Sequence, residues 1–225
     1  MAGIPFQNNP SRIKLYDFLK ESSLSVPVGS MVLDAGAGEG MYKDLFGKMN
    51  YISIDLGKIS KTYGDISAIS NLTKIPFSTG QFDLIVCTQV LEHVEDPRTV
   101  LAEMWRVLKP RASLWISVPF FYEQHEIPHD YYRYTTFGLK YLLETANFHV
   151  RRLQWLEGYY GTLAYQLATA VRFFRVNEKN YLLAFLFKLL AYRFTNAEKS
   201  SNKVIIDQQF LYGKNLIAVA VKYGC

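Results

Sequence analysis

The sequence predicts an α/β fold, a doubly wound and mostly parallel sheet of seven strands covered by helices. Short apolar stretches alternate with amphipathic stretches of helical length along most of the 225 residues, and this alternation is typical of βαβ units. The apolar run at 82–89 is suited to burial on both faces, as parallel strands are. A chain of this length can form one domain with a substantial core.

The elements follow in a regular order, with turn and cap residues between them. Pro10 precedes the first helix, Asp96-Pro97 is a strong helix start, and Pro119 stops the fifth strand. We predict strands at 31–34, 51–55, 62–66, 82–89, 113–118, 148–155 and 215–223. We predict helices at 11–20, 40–46, 96–110, 136–147, 159–176 and 181–194.

Three glycines follow the first strand directly, in the order Asp34-x-Gly36-x-Gly38-x-Gly40. Glycine adopts positive φ and has no Cβ, so this loop can lie directly under a ligand. The dinucleotide fingerprint places its third glycine one position later. A carboxylate at Asp34 would repel a pyrophosphate, but it suits a ligand that carries positive charge.

A second acid, Asp55, ends the second strand. At this place α/β folds put an acid that binds the ribose hydroxyls of a nucleotide. An adenosine with a cationic tail satisfies both Asp34 and Asp55, and S-adenosylmethionine is such a molecule. The alternatives are a tight glycine turn without a ligand and an Asp55 that only caps its strand.

With these residues the chain resembles the class I S-adenosylmethionine-dependent methyltransferases, and within them the type 11 group. The match covers roughly residues 30–150 and the last strand, and it is carried by the glycine loop, Asp55, Gly64-Asp65-Ile66, and the stretches 82–94 and 106–110. Arg111-Ala112 stand where the family usually has paired glycines. The resemblance implies a Rossmann-like methyltransferase sheet, S-adenosylmethionine as methyl donor and S-adenosylhomocysteine as product. It implies a cofactor site formed by Asp34, Gly36, Gly38, Gly40, Asp55, Leu56, Asp65, Ile66 and Gln89.

The stretch 119–135 follows the fifth strand, at the edge where open α/β sheets bind ligands, and it is rich in aromatic and ionisable residues. His129 or His125 could accept a proton from an acceptor hydroxyl, since histidine titrates near neutral pH. The candidate substrate-binding residues are Tyr122, Asp130, Tyr132 and Arg133. The alternative is that His129-Asp130 holds the loop and that the following aromatic residues are packing.

Two further expectations concern the same loop. His125, His129 and Asp130 lack a further ligand pattern, so we predict no metal site. The pattern His-Asp-Tyr-x-Arg-Tyr-Thr at 129–135 resembles a bacterial subgroup associated with surface polysaccharide or other glycan biosynthesis.

Residues 158–203 are predicted to be a helical insertion in a single methyltransferase domain that spans 1–225. Residues 151–203 hold nine basic and three acidic side chains, and the second predicted helix is strongly apolar. The insertion is therefore a lid, a dimer interface or a membrane-facing element at 159–194. The basic residues are diluted by aliphatic ones and no RNA-binding motif accompanies them, so we expect no nucleic-acid partner.

We predict a methyltransferase that acts on an oxygen of a small-molecule or glycan acceptor. The first alternative is a lipid-soluble or lipid-linked acceptor, such as a quinone, at the membrane surface; the second is a non-catalytic cofactor-binding subunit of a partner. Two cysteines make no disulfide framework, and Met1–Pro10 has no signal-peptide pattern. We therefore expect a cytoplasmic protein, or one peripheral to the inner face of the membrane, and leave a homodimer open.

Overall fold

A computed structural model describes residues 9–57, 66–176, 181–200 and 213–223. The chain divides into two compact units. Met1–Phe18 and Trp155–Asn215 make up one, here called the helical unit, and Leu19–Gln154 with Leu216–Cys225 make up the other, the sheet unit. The predicted insertion, 158–203, falls within the helical unit, and the single methyltransferase domain over 1–225 stays a prediction.

A seven-stranded sheet confirms the predicted fold class. Its strands are β1 (Met31–Ala35), β2 (Asn50–Asp55), β3 (Ala68–Ile69), β4 (Phe82–Thr88), β5 (Leu108–Pro119), β6 (Phe148–Trp155) and β7 (Asn215–Lys222). The strand order is β3-β2-β1-β4-β5-β7-β6 in a mixed sheet. The pairs β1–β2, β1–β4, β2–β3 and β4–β5 are parallel, so the carboxyl ends of β1 to β5 lie along one edge.

Five α-helices accompany the strands: α1 (Pro10–Ser23), α2 (Pro97–Val107), α3 (Thr136–Thr145), α4 (Tyr159–Val176) and α5 (Tyr181–Ser200). The side chain of Asp96 begins α2 by accepting hydrogen bonds from the backbone N–H groups of Arg98 and Thr99. Thr135 caps α3 in the same way, since its hydroxyl accepts from the Gly138 N–H at 2.9 Å. These capping residues explain why both helices begin where the sequence predicts.

Two local differences from the predicted elements have physical causes, and a third predicted element lies mostly outside the described residues. Gly40 has a φ of 71°, so no α-helix starts there, and one 3-10 turn at Lys43–Phe46 replaces the predicted helix over 40–46. The structure has a short strand at Ala68–Ile69, and the predicted third strand over 62–66 lies almost entirely outside the described residues. The fifth strand begins earlier, at Leu108, because a bulge with a left-handed Arg111 (φ 65°) keeps 109–112 in the strand.

The centre of the sheet unit is apolar and closed to solvent. Leu33, Ile85 and Ile116, on three adjacent strands, are fully buried, and such side chains each stabilise the fold by about 1.5–3 kcal/mol. Cys87 in β4 is also fully buried, and this burial raises the pKa of its thiol. The buried Lys222 in β7 keeps its charge satisfied because its Nζ donates to the Leu108 carbonyl at 2.8 Å and lies over the Trp105 ring.

The helical unit is built on α4 and α5. The rings of Tyr160 and Phe194 stack at 5.8 Å between the two helices. Glu198 of α5 accepts from the N–H groups of Gly158 and Gly161 at 2.8 and 2.9 Å, so its carboxylate caps the start of α4. No helix among the described residues is long and apolar enough to cross a membrane.

Candidate active site

A cavity of about 480 Å³ opens at the carboxyl ends of β1, β2 and β4 in the sheet unit. Its volume lies in the range of small-molecule sites, ~300–1,000 Å³. The cavity is lined by Gly36, Asp55, Leu56, Asn71, Leu72, Thr73, Gln89, Val90, His93, Val94, Glu95, Asp96, Glu126, His129 and Tyr131.

Gly36 brings the backbone of the loop into the wall of this cavity. Its φ is 87°, and its N–H donates to the Ile54 carbonyl at 2.8 Å. A Cβ at this position would collide with both methyl groups of Val90, which also lines the cavity. The absence of a side chain at Gly36 is therefore a geometric requirement of the cavity, and the bare loop suits a ligand that approaches backbone closely.

Asp55 ends β2 with its carboxylate at the cavity wall. Its Oδ2 accepts from the Gly38 N–H at 2.9 Å, and its Oδ1 accepts from the Gly57 N–H at 3.0 Å. Each oxygen thus keeps acceptor capacity, because a carboxylate oxygen can accept two hydrogen bonds. These two bonds fix the carboxylate in place, which suits it to receive a pair of hydroxyl groups from a ligand.

Asp34 is almost completely buried beneath the glycine loop. The Tyr51 hydroxyl donates to its Oδ2, and the Tyr51 ring stacks on Phe46. Burial raises the pKa of Asp34 to about 6, with the hydrogen bond from Tyr51 acting in the opposite direction. The same burial, together with the Asp34 charge, raises the pKa of Tyr51, so the tyrosine remains the donor. Asp34 is not one of the residues that line the cavity.

Of the remaining predicted cofactor residues, two line the cavity, three do not, and one lies outside the described residues. Leu56 and Gln89 line the cavity; Gln89 has a φ of 56°, and its Nε2 donates to the Ser117 hydroxyl at 3.2 Å. Gly38, Gly40 and Ile66 do not line it. The predicted adenine-binding acid, Asp65, lies outside the described residues.

The loop over 119–135 is attached to the segment that follows β4. The Tyr131 N–H donates to the Glu92 carbonyl at 2.8 Å, and the Tyr134 hydroxyl donates to the Leu91 carbonyl at 2.9 Å. The hydroxyl of Tyr132 donates to the Glu95 carbonyl at 2.9 Å. The hydroxyl groups of Tyr132 and Tyr134 thus attach the loop to the segment after β4. The bond from the Tyr131 N–H places Tyr131 in the cavity wall.

Arg133 and Asp130 fix the inside of the same loop. The two terminal nitrogens of Arg133 bind the two oxygens of Asp130 at 2.7 and 2.8 Å, and its other N–H groups donate to the carbonyls of Tyr122, Glu123 and Tyr132. The guanidinium holds the pKa of Asp130 near 2. All five donors of Arg133 have acceptors within the chain, so the geometry favours loop support over substrate binding for Arg133 and Asp130. Tyr122 packs edge-on against the His125 ring, with centroids 4.8 Å apart.

The two histidines predicted as catalytic occupy different surroundings. His129 lines the cavity, and its Nδ1 lies 3.2 Å from the Tyr131 hydroxyl. His125 does not line it; its Nε2 lies 3.1 Å from the Nε2 of His93. Burial, and secondarily the neighbouring His93, lowers the pKa of His125. Of the two, His129 is the residue that could meet an acceptor in the cavity.

Glu92, beside His93, is fully buried. Neither of its carboxylate oxygens has a hydrogen-bond partner among the described residues. Burial raises the pKa of Glu92 to about 8. From the sequence we expect Glu92 and His93 to orient and cap the loop after the fourth strand rather than to react, and no spacing signal brings them to His125.

The sequence did not identify ten of the lining residues: Asn71, Leu72, Thr73, Val90, His93, Val94, Glu95, Asp96, Glu126 and Tyr131. Val90, Val94, Glu95 and Asp96 follow β4, which places them at the same edge as Gln89. The position after a parallel strand was the one available signal for these four. No such sequence signal was available for Asn71, Leu72 and Thr73, which follow β3.

The chain is similar to known proteins over part of its length. Residues 33–116 match the family model of the methyltransferase domain. Over these residues the chain is similar to that domain. This domain family is S-adenosylmethionine-dependent, and the matched residues include the glycine loop, Asp55 and the segment after β4.

Curated relatives share about half of the chain. The ubiquinone biosynthesis O-methyltransferase of Hahella chejuensis is 31% identical over 122 residues, which are 48% of this chain and 49% of that protein. The protein of the same name from Pseudomonas aeruginosa is 29% identical over 125 residues, 48% of this chain and 50% of that one. The chain thus spans about half the length of the curated relatives it matches.

Solved structures share the fold of the methyltransferase domain at low sequence identity. The [4+2]-cyclase SpnF has a TM-score of 0.62 at 15% identity, covering 95% of this chain and 82% of that one. A putative sarcosine dimethylglycine methyltransferase from Galdieria sulphuraria has a TM-score of 0.60 at 14% identity, covering 94% and 86%. At such identities these likenesses show the fold alone.

Proposed function

We propose that this protein transfers a methyl group from S-adenosylmethionine to an oxygen of a small-molecule or glycan acceptor. The observation that carries the proposal is the cavity at the edge of the sheet, with Gly36 and Asp55 on its wall and His129 among its lining residues. The cavity combines exposed backbone at Gly36, the fixed carboxylate of Asp55 and the imidazole of His129, which can accept a proton.

The chain's own residues fit this cofactor. Asp55 would accept hydrogen bonds from the ribose hydroxyls, and Gly36 would let the methionine part pass close to backbone. Asp34, beneath the loop, would attract the positive charge of the cofactor. Bound S-adenosylmethionine supplies an activated methyl group, so the protein has mainly to orient the acceptor and exclude water.

His129 is the base that we propose for an acceptor hydroxyl. The hydroxyl must lose its proton as oxygen attacks the methyl carbon, and a positioned base of this kind contributes about 10²–10⁴-fold. His129 lies in the cavity wall and its Nδ1 faces the hydroxyl of Tyr131, so its Nε2 is the atom that we assign to the acceptor. Tyr122 and Tyr132 remain candidates for packing against a sugar or ring.

The cofactor assignment is tested by Asp55→Ala. We expect affinity for S-adenosylhomocysteine, measured by calorimetry, to fall by ~1.5–3 kcal/mol because a charged hydrogen-bonding partner is lost. Asp44→Ala, which removes an exposed acid outside the cavity, is the matched control. An Asp55→Ala protein with unchanged affinity would refute the ribose assignment.

The base assignment is tested by His129→Ala in a methyl-transfer assay. We expect cofactor binding to persist while turnover falls roughly 10²–10⁴-fold. Near-normal turnover would show that His129 is not the base and that the 119–135 loop serves packing. Absence of turnover by the purified wild-type chain, restored by a second protein, would favour a non-catalytic cofactor-binding subunit instead.

A second candidate acceptor is lipid-soluble or lipid-linked, and α5 supports it. Leu182, Phe185 and Tyr192 of this helix are 74%, 62% and 66% exposed, next to the exposed Lys188 and Arg193. Apolar and basic side chains together suit a helix that lies on an anionic membrane surface. The curated relatives are named for ubiquinone biosynthesis, a pathway with a lipid-soluble product.

The two acceptor classes are distinguished by whether a labelled methyl group enters an organic-soluble or a water-soluble product. Purified protein is incubated with methyl-labelled S-adenosylmethionine and an extract of the source cells, and the products are partitioned between organic and aqueous phases. Label in the organic phase would favour the lipid acceptor and assign α4 and α5 to membrane docking. Label in the aqueous phase would favour a soluble metabolite or glycan and make these helices a lid or a dimer interface.

A further inference from the structure

Glu92, His93 and His125 converge beside the cavity. Among the described residues these three form a group whose possible ligand atoms all lie within 4.8 Å of one another. The Nε2 atoms of the two histidines are 3.1 Å apart, and Glu92 Oε1 lies 3.8 Å from His93 Nε2. His93 also lines the cavity, so the group opens towards the site described above.

The hydrogen bonds on the far side of each ring fix where the imidazole protons are. Nδ1 of His93 donates to the His129 carbonyl at 2.6 Å, and Nδ1 of His125 lies 3.2 Å from the Glu123 carbonyl. A carbonyl oxygen only accepts, so both neutral rings carry their proton on Nδ1. Their Nε2 lone pairs then face each other, an arrangement that is repulsive unless a cation lies between them.

The carboxylate of Glu92 points independently to a cation at this place. Its carboxylate is fully buried and points into the group, but neither oxygen has a hydrogen-bond partner among the described residues. A buried carboxyl group without partners costs several kcal/mol. The same cation would satisfy the two nitrogen lone pairs and this carboxylate.

We propose that Glu92, His93 and His125 bind one divalent metal ion, Zn²⁺ or another ion that prefers nitrogen and oxygen ligands. Metal–nitrogen bonds of ~2.0–2.1 Å place two imidazole nitrogens on one ion roughly 3.0–3.4 Å apart, and the two Nε2 atoms already have this separation. The Nδ1 contacts to the His129 and Glu123 carbonyls are those that typically orient a metal-ligating histidine. Two histidines and one glutamate leave a coordination position open.

The open position gives the ion a chemical role, and this step rests on the proposed function. An acceptor hydroxyl bound to the ion would lose its proton more readily, to His129 or to solvent. A bond then forms between that oxygen and the methyl carbon as the sulfur–carbon bond breaks. The sulfur keeps the electron pair and leaves as S-adenosylhomocysteine. His125 is then a ligand rather than a base.

The test measures metal uptake directly, without an activity assay. The full chain is stripped with a chelator and dialysed against Zn²⁺, Co²⁺ or Mg²⁺, and bound metal per chain is measured. We expect one Zn²⁺ or Co²⁺ per chain and little Mg²⁺, which prefers oxygen ligands. Glu92→Gln, which keeps the side-chain shape, and His125→Ala should each weaken Zn²⁺ binding at least ~10-fold.

His149→Ala is the matched control, because this histidine lies against Tyr223 and away from the cavity; its uptake should equal that of the wild type. S-adenosylhomocysteine binding by every variant reports that the fold is intact. No uptake by the folded wild-type protein, or equal uptake by Glu92→Gln and His125→Ala, would overturn the metal site while leaving the proposed methyl transfer standing. Uptake by a protein that transfers no methyl group would leave the metal site standing and remove the proposed function.

Discussion

Gly36 and Gly80 have the same left-handed backbone but different surroundings. Their φ angles are 87° and 70°, and a Cβ at Gly80 would meet nothing within 4 Å, whereas a Cβ at Gly36 would collide with Val90. We expect Gly80→Ala to lower the free energy of unfolding by about 1–2 kcal/mol through backbone strain alone. Gly36→Ala should cost roughly 1–3 kcal/mol more, because overcrowding adds to the strain.

The measurement is chemical denaturation of both variants together with affinity for S-adenosylhomocysteine. Only Gly36→Ala should lose affinity, since Val90 must move into the cavity to make room. Equal effects of the two substitutions on stability and affinity would show that Gly36 is a turn residue without a role in the cavity.

Asp34 should make the stability of the sheet unit depend on pH. Its folded pKa of about 6 lies above the usual 3.8, so between these values the unfolded chain has lost a proton that the folded chain keeps. The stability conferred by Asp34 is therefore full below pH 3.8 and decreases as pH rises to about 6, by roughly 3 kcal/mol.

The comparison for Asp34 is Asp34→Asn, which cannot titrate. We expect the free energy of unfolding of the wild type, relative to this variant, to fall between pH 4 and pH 6 and to stay level above pH 7. S-adenosylmethionine should restore part of the loss, because its positive charge favours the ionised carboxylate. A difference that does not change with pH would show that Asp34 titrates normally.

At the scale of elements, Arg133 holds the 119–135 loop in one conformation. Arg133→Lys keeps the charge but loses the paired bonds to Asp130 and most of the bonds to loop carbonyls. We expect the loop to loosen, seen as faster amide exchange over 122–134 and a KM for the acceptor that rises more than kcat falls. Arg111→Lys, at an exposed position of β5, should change neither; unchanged exchange in Arg133→Lys would show that the tyrosine hydrogen bonds suffice.

The elements themselves followed from local signals. Asp96-Pro97 begins the helix that it predicts, and the apolar runs predicted six of the seven strands where the structure has them. The helix over 40–46 was wrong because three glycines with positive φ leave too little chain before β2 for more than one 3-10 turn. The early start of β5 depends on a bulge at Arg111, which no residue in the sequence specifies.

The candidate site was predictable only where one segment carries it. Gly36 and Asp55 lie at the ends of their strands, so spacing placed them at the cavity, whereas Gly38 and Gly40 of the same loop do not line it. His125 is 32 positions from His93 and reaches Glu92 and His93 only through a loop. The path of that loop depends on Arg133 and the tyrosines. Spacing along the chain cannot reveal such an arrangement.

At the scale of the whole molecule, the uneven charge predicts an interaction that depends on salt. Residues 151–203 carry nine basic and three acidic side chains, and α5 exposes apolar side chains among its basic ones. If α5 lies on membranes, the protein should sediment with vesicles that contain anionic lipid, and less so as salt rises from about 0.05 to about 0.5 M.

Phe185→Glu is the variant that tests this surface, since it replaces an exposed apolar side chain with an acidic one. It should abolish sedimentation with the vesicles without lowering affinity for S-adenosylhomocysteine. Glu39→Gln, an exposed acid in the sheet unit, should sediment like the wild type. Equal sedimentation of Phe185→Glu would remove α5 as the docking element.

The burial of Cys87 makes its thiol a probe of how often the centre of the sheet opens. A thiol reacts with alkylating reagents only as the exposed thiolate, and Cys87 lies sealed in β4, the strand between β1 and β5. In a Cys225→Ser background, the rate of alkylation therefore counts how often the centre of the sheet opens. The same experiment with cofactor present would report how far the ligand slows that opening.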